Sequence, residues 1–382
     1  MIIKNGTIVQ NNKTFISDIK IEDGIIKDIN SDINSHEEII DAQGCFVVPG
    51  FIDIHTHGCN NVDVNAATAK DFEKMAIFFA SRGTTSFQPS ILTDTKEKTE
   101  EIINEILKFK EGNYKGAKIV GIHLEGPFLS KEYRGSMPEN LIRQEFDMSL
   151  IEHYQNCAKG LIRYITVAPE LPSVIENIKK MNDLGIKVAI GHSSADYETS
   201  MKAIENGVSA ATHTMNAMKL MHQHFPAITG AVLESDVYCE IISDGLHLHP
   251  GTIRIILKTK GYDKVIAITD SIMAAGLSDG DYSLGVNSIT VKDGDAKVTG
   301  TDIRAGSTLT MDRALRNLIK ITGKNIENII PLLTENPASL LGLDNKGKIL
   351  KGYDGDLVIL NRDLEVVYTL VAGKIQHTQK DV

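Results

Sequence analysis

Pro49-Gly50-Phe51-Ile52-Asp53-Ile54-His55-Thr56-His57-Gly58 decides the reading of this chain. A turn-forming pair opens it, a short apolar strand follows, and two histidines stand one residue apart before a glycine. Side chains two apart on a strand project to the same side, so His55 and His57 can face one object together. Two neutral imidazoles at a strand end begin a metal site. His-x-His alone is common on ordinary surface strands, so the reading turns on whether the rest of the chain supplies further ligands.

The texture differs on either side of that stretch. Upstream, Ile2-Ile3, Thr7-Ile8-Val9, Asp18-Ile19-Lys20-Ile21 and Ile25-Ile26-Lys27-Asp28-Ile29 alternate around Asn-Gly and Asp-Gly turns, the pattern of hairpins. Asp356-Leu357-Val358-Ile359-Leu360, Val366-Val367-Tyr368-Thr369-Leu370-Val371 and Gly373-Lys374-Ile375 repeat it at the far end. The economical expectation is one small β-sandwich domain built from both termini, residues 1–50 and 344–382, flanking a middle domain of residues 51–343.

Apolar strands alternate with amphipathic helices through that middle. Strands are expected at 51–54, 85–92, 118–124, 161–167, 187–190, 209–212, 238–242 and 264–268, with helices such as 67–81, 96–110, 171–184 and 196–205 between them. Eight strand–helix units predict an α/β fold, a closed (β/α)8 TIM-like barrel whose active site lies at the C-terminal ends of its strands. A Gly- and Asp-rich hairpin region near 276–303 precedes further helices at 309–321 and 336–341.

Composition narrows the function. A chain of 382 residues that is 42% hydrophobic can bury a large core. A net charge of -10 offers no basic face for a nucleic-acid backbone, although one phosphate can still be held locally. No run approaches the roughly 18 apolar residues of a membrane span. Cys45, Cys59, Cys157 and Cys239 are scattered without a pairing pattern, and the first residues lack a basic-then-apolar leader. A cytoplasmic protein with reduced thiols and neither nucleic-acid nor membrane partners is expected.

A barrel permits a test confined to strand ends. Strand one ends in His55 and His57, strand three in Gly121-Ile122-His123-Leu124-Glu125-Gly126-Pro127, strand five at His192, strand six at His213 and strand eight at Asp270. Each has a plainer reading: His192 as a hydrogen-bonded structural residue, Glu125 and Asp270 as caps. The six together favour a divalent-metal site with a spare carboxylate. His123 is not counted as a ligand and is read as a supporting or core residue. A bound dication lowers the pKa of water from about 15.7 toward 7. Asp270 is the candidate to take that water's proton and hand it to a leaving group. The expected class is metal-assisted hydrolysis of a C–N bond, in which water attack on an amide needs no nucleophilic serine or cysteine.

These stretches resemble the amidohydrolase superfamily, and within it the N-acetylglucosamine-6-phosphate deacetylases. His-x-His after Pro-Gly marks the superfamily; His123-Leu124-Glu125-Gly126-Pro127 combined with His213-Thr214-Met215-Asn216-Ala217-Met218 marks the deacetylases. Ser243-Asp244-Gly245-Leu246-His247, Thr269-Asp270 and Ala305-Gly306-Ser307 extend the likeness nearly end to end. The resemblance implies that Glu125, His192 and His213 hold the principal ion and that Asp270 is the acid/base. Strand four ends Thr166-Val167-Ala168-Pro169-Glu170, without the bridging lysine of many superfamily members, and Glu125 is implied to serve instead. His55 and His57 are both retained, so the implied cofactor is one or two divalent ions per subunit, Zn, Fe, Mn or Co.

The implied substrate is a phosphorylated N-acetylated amino sugar, and the implied assembly a homodimer. Asn216, Ala217 and His247, with Asp244 in the same stretch as His247, match substrate positions, and Ala305-Gly306 matches a loop that closes over the sugar. His224 falls near a position where some relatives place an arginine that reaches the phosphate from a neighbouring subunit; imidazole is the weaker, pH-dependent partner. Arg304 precedes the Ala-Gly turn where relatives usually carry an apolar residue, and is the candidate compensating cation. Ser136-Met137 occupies a loop where the family often places histidine or another polar residue, and methionine cannot donate a hydrogen bond. Loss of one oxyanion donor costs roughly 3–4 kcal/mol in another hydrolase.

The implied reaction is hydrolysis of the acetamide of N-acetyl-D-glucosamine 6-phosphate to D-glucosamine 6-phosphate and acetate, in amino-sugar catabolism. The alternatives are another N-acetylhexosamine phosphate such as N-acetylgalactosamine 6-phosphate, a cyclic-amide hydrolase, an aminopurine deaminase, or a silent sugar-phosphate binder.

Overall fold

The computed structural model describes residues 1–10, 12–31, 33 and 38–379. Residues 11, 32, 34–37 and 380–382, which fall within the expected terminal domain, lie outside the described residues. Eight parallel strands pair in chain order: β1 (Phe51–Thr56), β2 (Thr84–Leu92), β3 (Ile122–Glu125), β4 (Ile162–Val167), β5 (Lys187–Ile190), β6 (Ala210–Ala211), β7 (Tyr238–Ile242) and β8 (Val265–Ile268). β8 runs on to meet β1. The Asp270 N–H donates to the His55 carbonyl at 2.9 Å, and the His57 N–H donates to the Ser271 carbonyl at 2.8 Å. The expected (β/α)8 barrel is present, and these bonds join its first and last strands at the rim.

The strands are buried on both faces, as parallel strands covered by helices must be, and β1 and β2 are buried at every residue. The expected third strand, 118–124, is broken into Lys118–Ile119 and β3, both paired with β2. The partner of Ile119 is Phe87 and that of His123 is Ser90, so one extra residue is inserted on this side. Such a bulge re-aims the side chains that follow it, here those leading to Glu125.

Helix starts follow their caps. The helix expected from 67 begins at Ala69 because Thr68 caps it, with Asp71 answering in a capping box. Asp196 caps Tyr197–Glu205 from outside. The helix expected from 171 begins at Val174, since Ser173 stands at φ +65°, in the left-handed region.

The termini form one eight-stranded sheet. Phe46–Pro49 lies between Ile2–Gln10 and Leu357–Leu360, so the two chain ends are stitched together at its centre. The sheet folds back on itself: the Ile26 N–H donates to the Tyr353 carbonyl at 2.8 Å, and that of Gly355 to the Gly24 carbonyl at 2.7 Å. Ile19, Ile26, Leu357 and Leu370 share one apolar core there. The hairpin region expected near 276–303 is a three-stranded antiparallel sheet, Gly280–Leu284, Asn287–Lys292 and Asp295–Val298. Its Leu284, Ile289 and Ala296 pack with Leu129, Met137 and Ile272 at the barrel mouth. No helix among the described residues is long and apolar enough to cross a membrane, and all four cysteines are free.

Gly50 links the terminal sheet to β1, and a Cβ there would fall inside the Thr85 side chain of β2. Overpacking of this kind costs about 1–3 kcal/mol. Gly50→Ala should lower the thermal midpoint measurably, and adding Thr85→Ala should recover part of the loss. An unchanged midpoint for the single variant would contradict this account of the junction.

Candidate metal centre

Every candidate ligand sits where a barrel strand ends. His55 and His57 lie at the end of β1, Glu125 closes β3, and His192, His213 and Asp270 each follow β5, β6 and β8 within two residues. His192, His213 and Asp270 stand at φ +46°, +28° and +49°. A non-glycine residue held in this region costs of order 1–3 kcal/mol and persists only where its surroundings over-determine it. All six side chains are buried.

Two ligand groups form around one shared carboxylate. The Nε2 atoms of His192 and His213 are 3.0 Å apart and lie 3.2 and 3.1 Å from Glu125 Oε1. The Nε2 atoms of His55 and His57 are 3.2 Å apart. They lie 3.4 Å from Glu125 Oε1 and 3.2 Å from Glu125 Oε2 respectively. Asp270 Oδ1 stands beside the second group, 3.5 Å from His55 and 3.2 Å from His57.

The far side of three of the four rings explains why Nε2 faces the centre. His57 Nδ1 donates to the Ser90 carbonyl at 3.0 Å, and His192 Nδ1 to the Tyr133 carbonyl at 2.9 Å. His55 Nδ1 lies 3.1 Å from a Glu240 carboxylate oxygen. Acceptors behind each Nδ1 commit the proton there and leave Nε2 for the centre. His213 Nδ1 is buried with no partner among the described residues. Ring nitrogens and carboxylates facing one another need positive charge between them. Donor atoms about 2.1 Å from one ion at tetrahedral angles stand about 3.4 Å apart, close to the distances observed. The residues fit a divalent cation, and an imidazole–carboxylate donor set suits Zn, Fe, Mn or Co.

Electrostatics agree. Burial alone would raise Glu125 and Asp270, yet His55 and His57 hold both below the usual carboxylate range, Glu125 far below it. Burial alone would depress His57, but Glu125 and Asp270 push it up to about 9, and His55 is likewise driven well above its ordinary value. Protons and a divalent ion compete for the same lone pairs, so loading the ion releases protons.

The supporting residues were only partly legible. His123, set aside as a ligand, has both nitrogens engaged, by the Ser90 hydroxyl at 2.8 Å and the Thr166 hydroxyl at 2.9 Å. Burial first, then the neighbouring His55, holds it well below its ordinary pKa. Glu240 was missed, and its signal was a carboxylate in the middle of the apolar strand Tyr238-Cys239-Glu240-Ile241-Ile242. Asp53 was passed over in the same way. It accepts from the Thr269 hydroxyl at 2.6 Å, tying β1 to β8, while burial pushes it up to about 6. Glu170, beyond β4, accepts from the Ser193 hydroxyl at 2.7 Å and the Ser194 N–H at 2.6 Å, and so clamps the loop after His192.

The centre opens into a cleft of about 230 Å³. Ser136, Met137, Asn216, Ala217, His247, Arg304 and Gly306 line it together with His57, Glu125, His192, His213 and Asp270. Gly306 stands at φ +60° where a Cβ would press on Ile272 and the Asp270 carbonyl, so this turn seats Asp270 directly. Ala305 is buried behind it. Asp244 does not line the cleft. It takes the His247 Nδ1–H at 2.6 Å, leaving the other face of that ring toward the cleft. Arg304 is held through Nε and Nη2 by Asp295 at 2.8 and 3.1 Å. His224 is not brought to the cleft of its own chain. It sits beside the exposed Leu220 and Phe225 in a separate surface depression.

Comparison with known proteins places this geometry. Residues 46–376 match the Amidohydrolase family. The N-acetylglucosamine-6-phosphate deacetylase of Lysinibacillus sphaericus is 33% identical over 379 residues, 98% of this chain and 97% of that one. That of Bacillus subtilis (strain 168) is 34% identical over 390 residues, covering 100% and 98%. The crystal structure of the Pasteurella multocida enzyme superposes with a TM-score of 0.92 at 30% identity, covering 98% of both chains. A mutant of the Mycobacterium smegmatis enzyme in complex with N-acetyl-D-glucosamine-6-phosphate superposes at 0.93 and 30% identity, covering 99% of both. The chain belongs to the amidohydrolase family and, within it, to the N-acetylglucosamine-6-phosphate deacetylases.

Proposed function

We propose that this chain hydrolyses the acetamide of N-acetyl-D-glucosamine 6-phosphate, releasing D-glucosamine 6-phosphate and acetate in amino-sugar catabolism. The observation that carries the reading is the pair of ligand groups sharing Glu125, set beside Asp270 at the floor of a cleft. The relatives named for this reaction support the substrate assignment. The catalytic unit is the barrel, residues 51–343, with residues 1–50 and 344–382 as its β domain.

Glu125, His192 and His213 would hold the principal ion, and His55 and His57, beside the same Glu125, could hold a second. A divalent ion bound there would supply Lewis acidity to the acetyl carbonyl and lower the pKa of water toward neutrality. Asp270, with Oδ1 facing the His55/His57 pair, takes the attacking water's proton and returns it to the departing amine nitrogen. Burial of that carboxylate keeps bulk water from competing for the proton. His247, oriented by Asp244, hydrogen-bonds the sugar, while Asn216, Ala217, Ser136 and Gly306 frame it. Met137 belongs to the apolar cluster at the barrel mouth, so it supplies a wall there and no hydrogen-bond donor. Arg304 is the one lysine or arginine among the cleft-lining residues, which supports it as the phosphate partner. Its Nη1 and the remaining Nη2 hydrogen are not taken by Asp295. A homodimer is the assembly proposed, since Leu220, Met221 and Phe225 expose an apolar surface beside His224. The four free cysteines suit a reducing, cytoplasmic compartment.

Acetate release from N-acetylglucosamine 6-phosphate, measured before and after chelator treatment and on metal replacement, tests the reading. Activity should vanish with the metal, return with it, and exceed that on N-acetylgalactosamine 6-phosphate; turnover of neither sugar phosphate would overturn it. Asp270→Asn should lower kcat by about 10²–10⁴-fold. A kcat near the parent value would remove Asp270 from the proton-transfer role. A charge-assisted hydrogen bond is worth about 1.5–3 kcal/mol, so Arg304→Ala should raise KM for the 6-phosphate by roughly 10–100-fold. KM for unphosphorylated N-acetylglucosamine should stay put, and equal shifts for both sugars would make Arg304 a structural residue only.

A further inference from the structure

We infer that Glu240 is the positioning residue shared by both ligand groups, holding His55 of one and the backbone of His213 of the other. The inference rests on the metal-centre reading above. Glu240 lies in the middle of β7 and is fully buried. One carboxylate oxygen, Oε2, stands 3.1 Å from His55 Nδ1 and accepts the His213 N–H at 3.0 Å. The other, Oε1, accepts the Tyr164 hydroxyl at 2.7 Å. Three donors occupy the carboxylate, and they come from β1, β4 and the end of β6. Glu240 therefore meets His55 and His213 away from their Nε2 atoms and acts through them.

Its two contacts on Oε2 do different things. Acceptance behind His55 Nδ1 commits that ring to presenting Nε2 to the centre, and a carboxylate acceptor raises the basicity of the opposite nitrogen. Acceptance from the His213 N–H pins a residue whose φ of +28° would otherwise relax. Because one oxygen does both, a change at Glu240 reaches each group at once. A carboxylate buried in an apolar strand is costly unless fully paired, and here the pairing falls on two candidate ligands.

The test is equilibrium binding of Co²⁺ or Zn²⁺ to metal-stripped protein in competition with a chelator, with stoichiometry from elemental analysis. Removal of such an outer partner typically costs 10–100-fold in metal affinity. Glu240→Met, an apolar replacement of similar length, should show a loss of that size and a stoichiometry below the parent's. Tyr164→Phe leaves both Oε2 contacts in place and should bind like the parent. In a His55→Ala background the effect of Glu240→Met should shrink, because part of its route is gone. Should Glu240→Met not fold, Glu240→Gln removes the charge at constant shape and should still bind more weakly. Parent-like affinity in the folded Glu240 variant, or an equal loss in Tyr164→Phe, would overturn the role. A parent that binds no divalent ion at all would instead sink the metal-centre reading.

Discussion

A carboxylate buried among four imidazoles is the constraint on which the rest of this structure depends. Taking an ionised glutamate out of water costs several kcal/mol unless opposite charge stands close and the remaining lone pairs are met. Glu125 is buried at the end of β3, and its neighbours come from the ends of β1, β5 and β6, with Asp270 from β8 beside them. No local segment could bring these together. They meet only because the strands form a ring, and the backbone bonds between His55 and Asp270 and between His57 and Ser271 join that ring where the ligands lie. Fold and site are one problem here: a register slip of one residue in β1 would turn His55 and His57 outward together.

The barrel interior shows the same dependence. Asp53, His55, His123, Tyr164, Thr166 and Glu240 are all fully buried, in a place that barrels usually fill with apolar side chains. Such polar networks hold only when their members satisfy one another. Ser90 serves both His57, through its carbonyl, and His123, through its hydroxyl. Thr166 links His123 to Thr212. The left-handed φ values at His192, His213 and Asp270 are tolerated because Glu170, Glu240 and the Gly306 turn hold the adjoining backbone. Strain at the rim is balanced by rigidity behind it.

What was legible in the sequence follows from range. The eight strands could be read because parallel strands buried on both faces carry continuous apolar runs, and the candidate ligands could be picked out because they follow those runs directly. Where elements begin was less legible: Thr68 and Asp196 cap their helices and do not enter them. The bulge before β3 depends on pairing with β2, which no property of 118–124 alone encodes. Glu240 and Asp53 were in plain view as charges inside apolar strands. They stayed unread because their partners, His213 and Thr269, lie far away along the chain. Arg304 was legible as a cation near the turn, but its tether to Asp295 is a product of the hairpin sheet.

The floor and the mouth of the cleft answer to different physics. At the floor the distances near 3 Å between donor atoms leave little freedom, because moving one ligand breaks the charge balance of the others. At the mouth, Met137, Leu284 and Arg304 ride on the Arg134–Met137 turn and the three-stranded hairpin sheet, whose packing is apolar and tolerant of exchange. A side chain can therefore change there without disturbing the chemistry below. Met137 and Arg304 are coupled through one sheet: Asn287 donates to the Ser136 carbonyl at 2.7 Å beside Met137, and Asp295 on the next strand holds Arg304. With Arg304 as the proposed phosphate partner, the hairpin is the element through which specificity would be retuned while Glu125 and its imidazoles stay as they are.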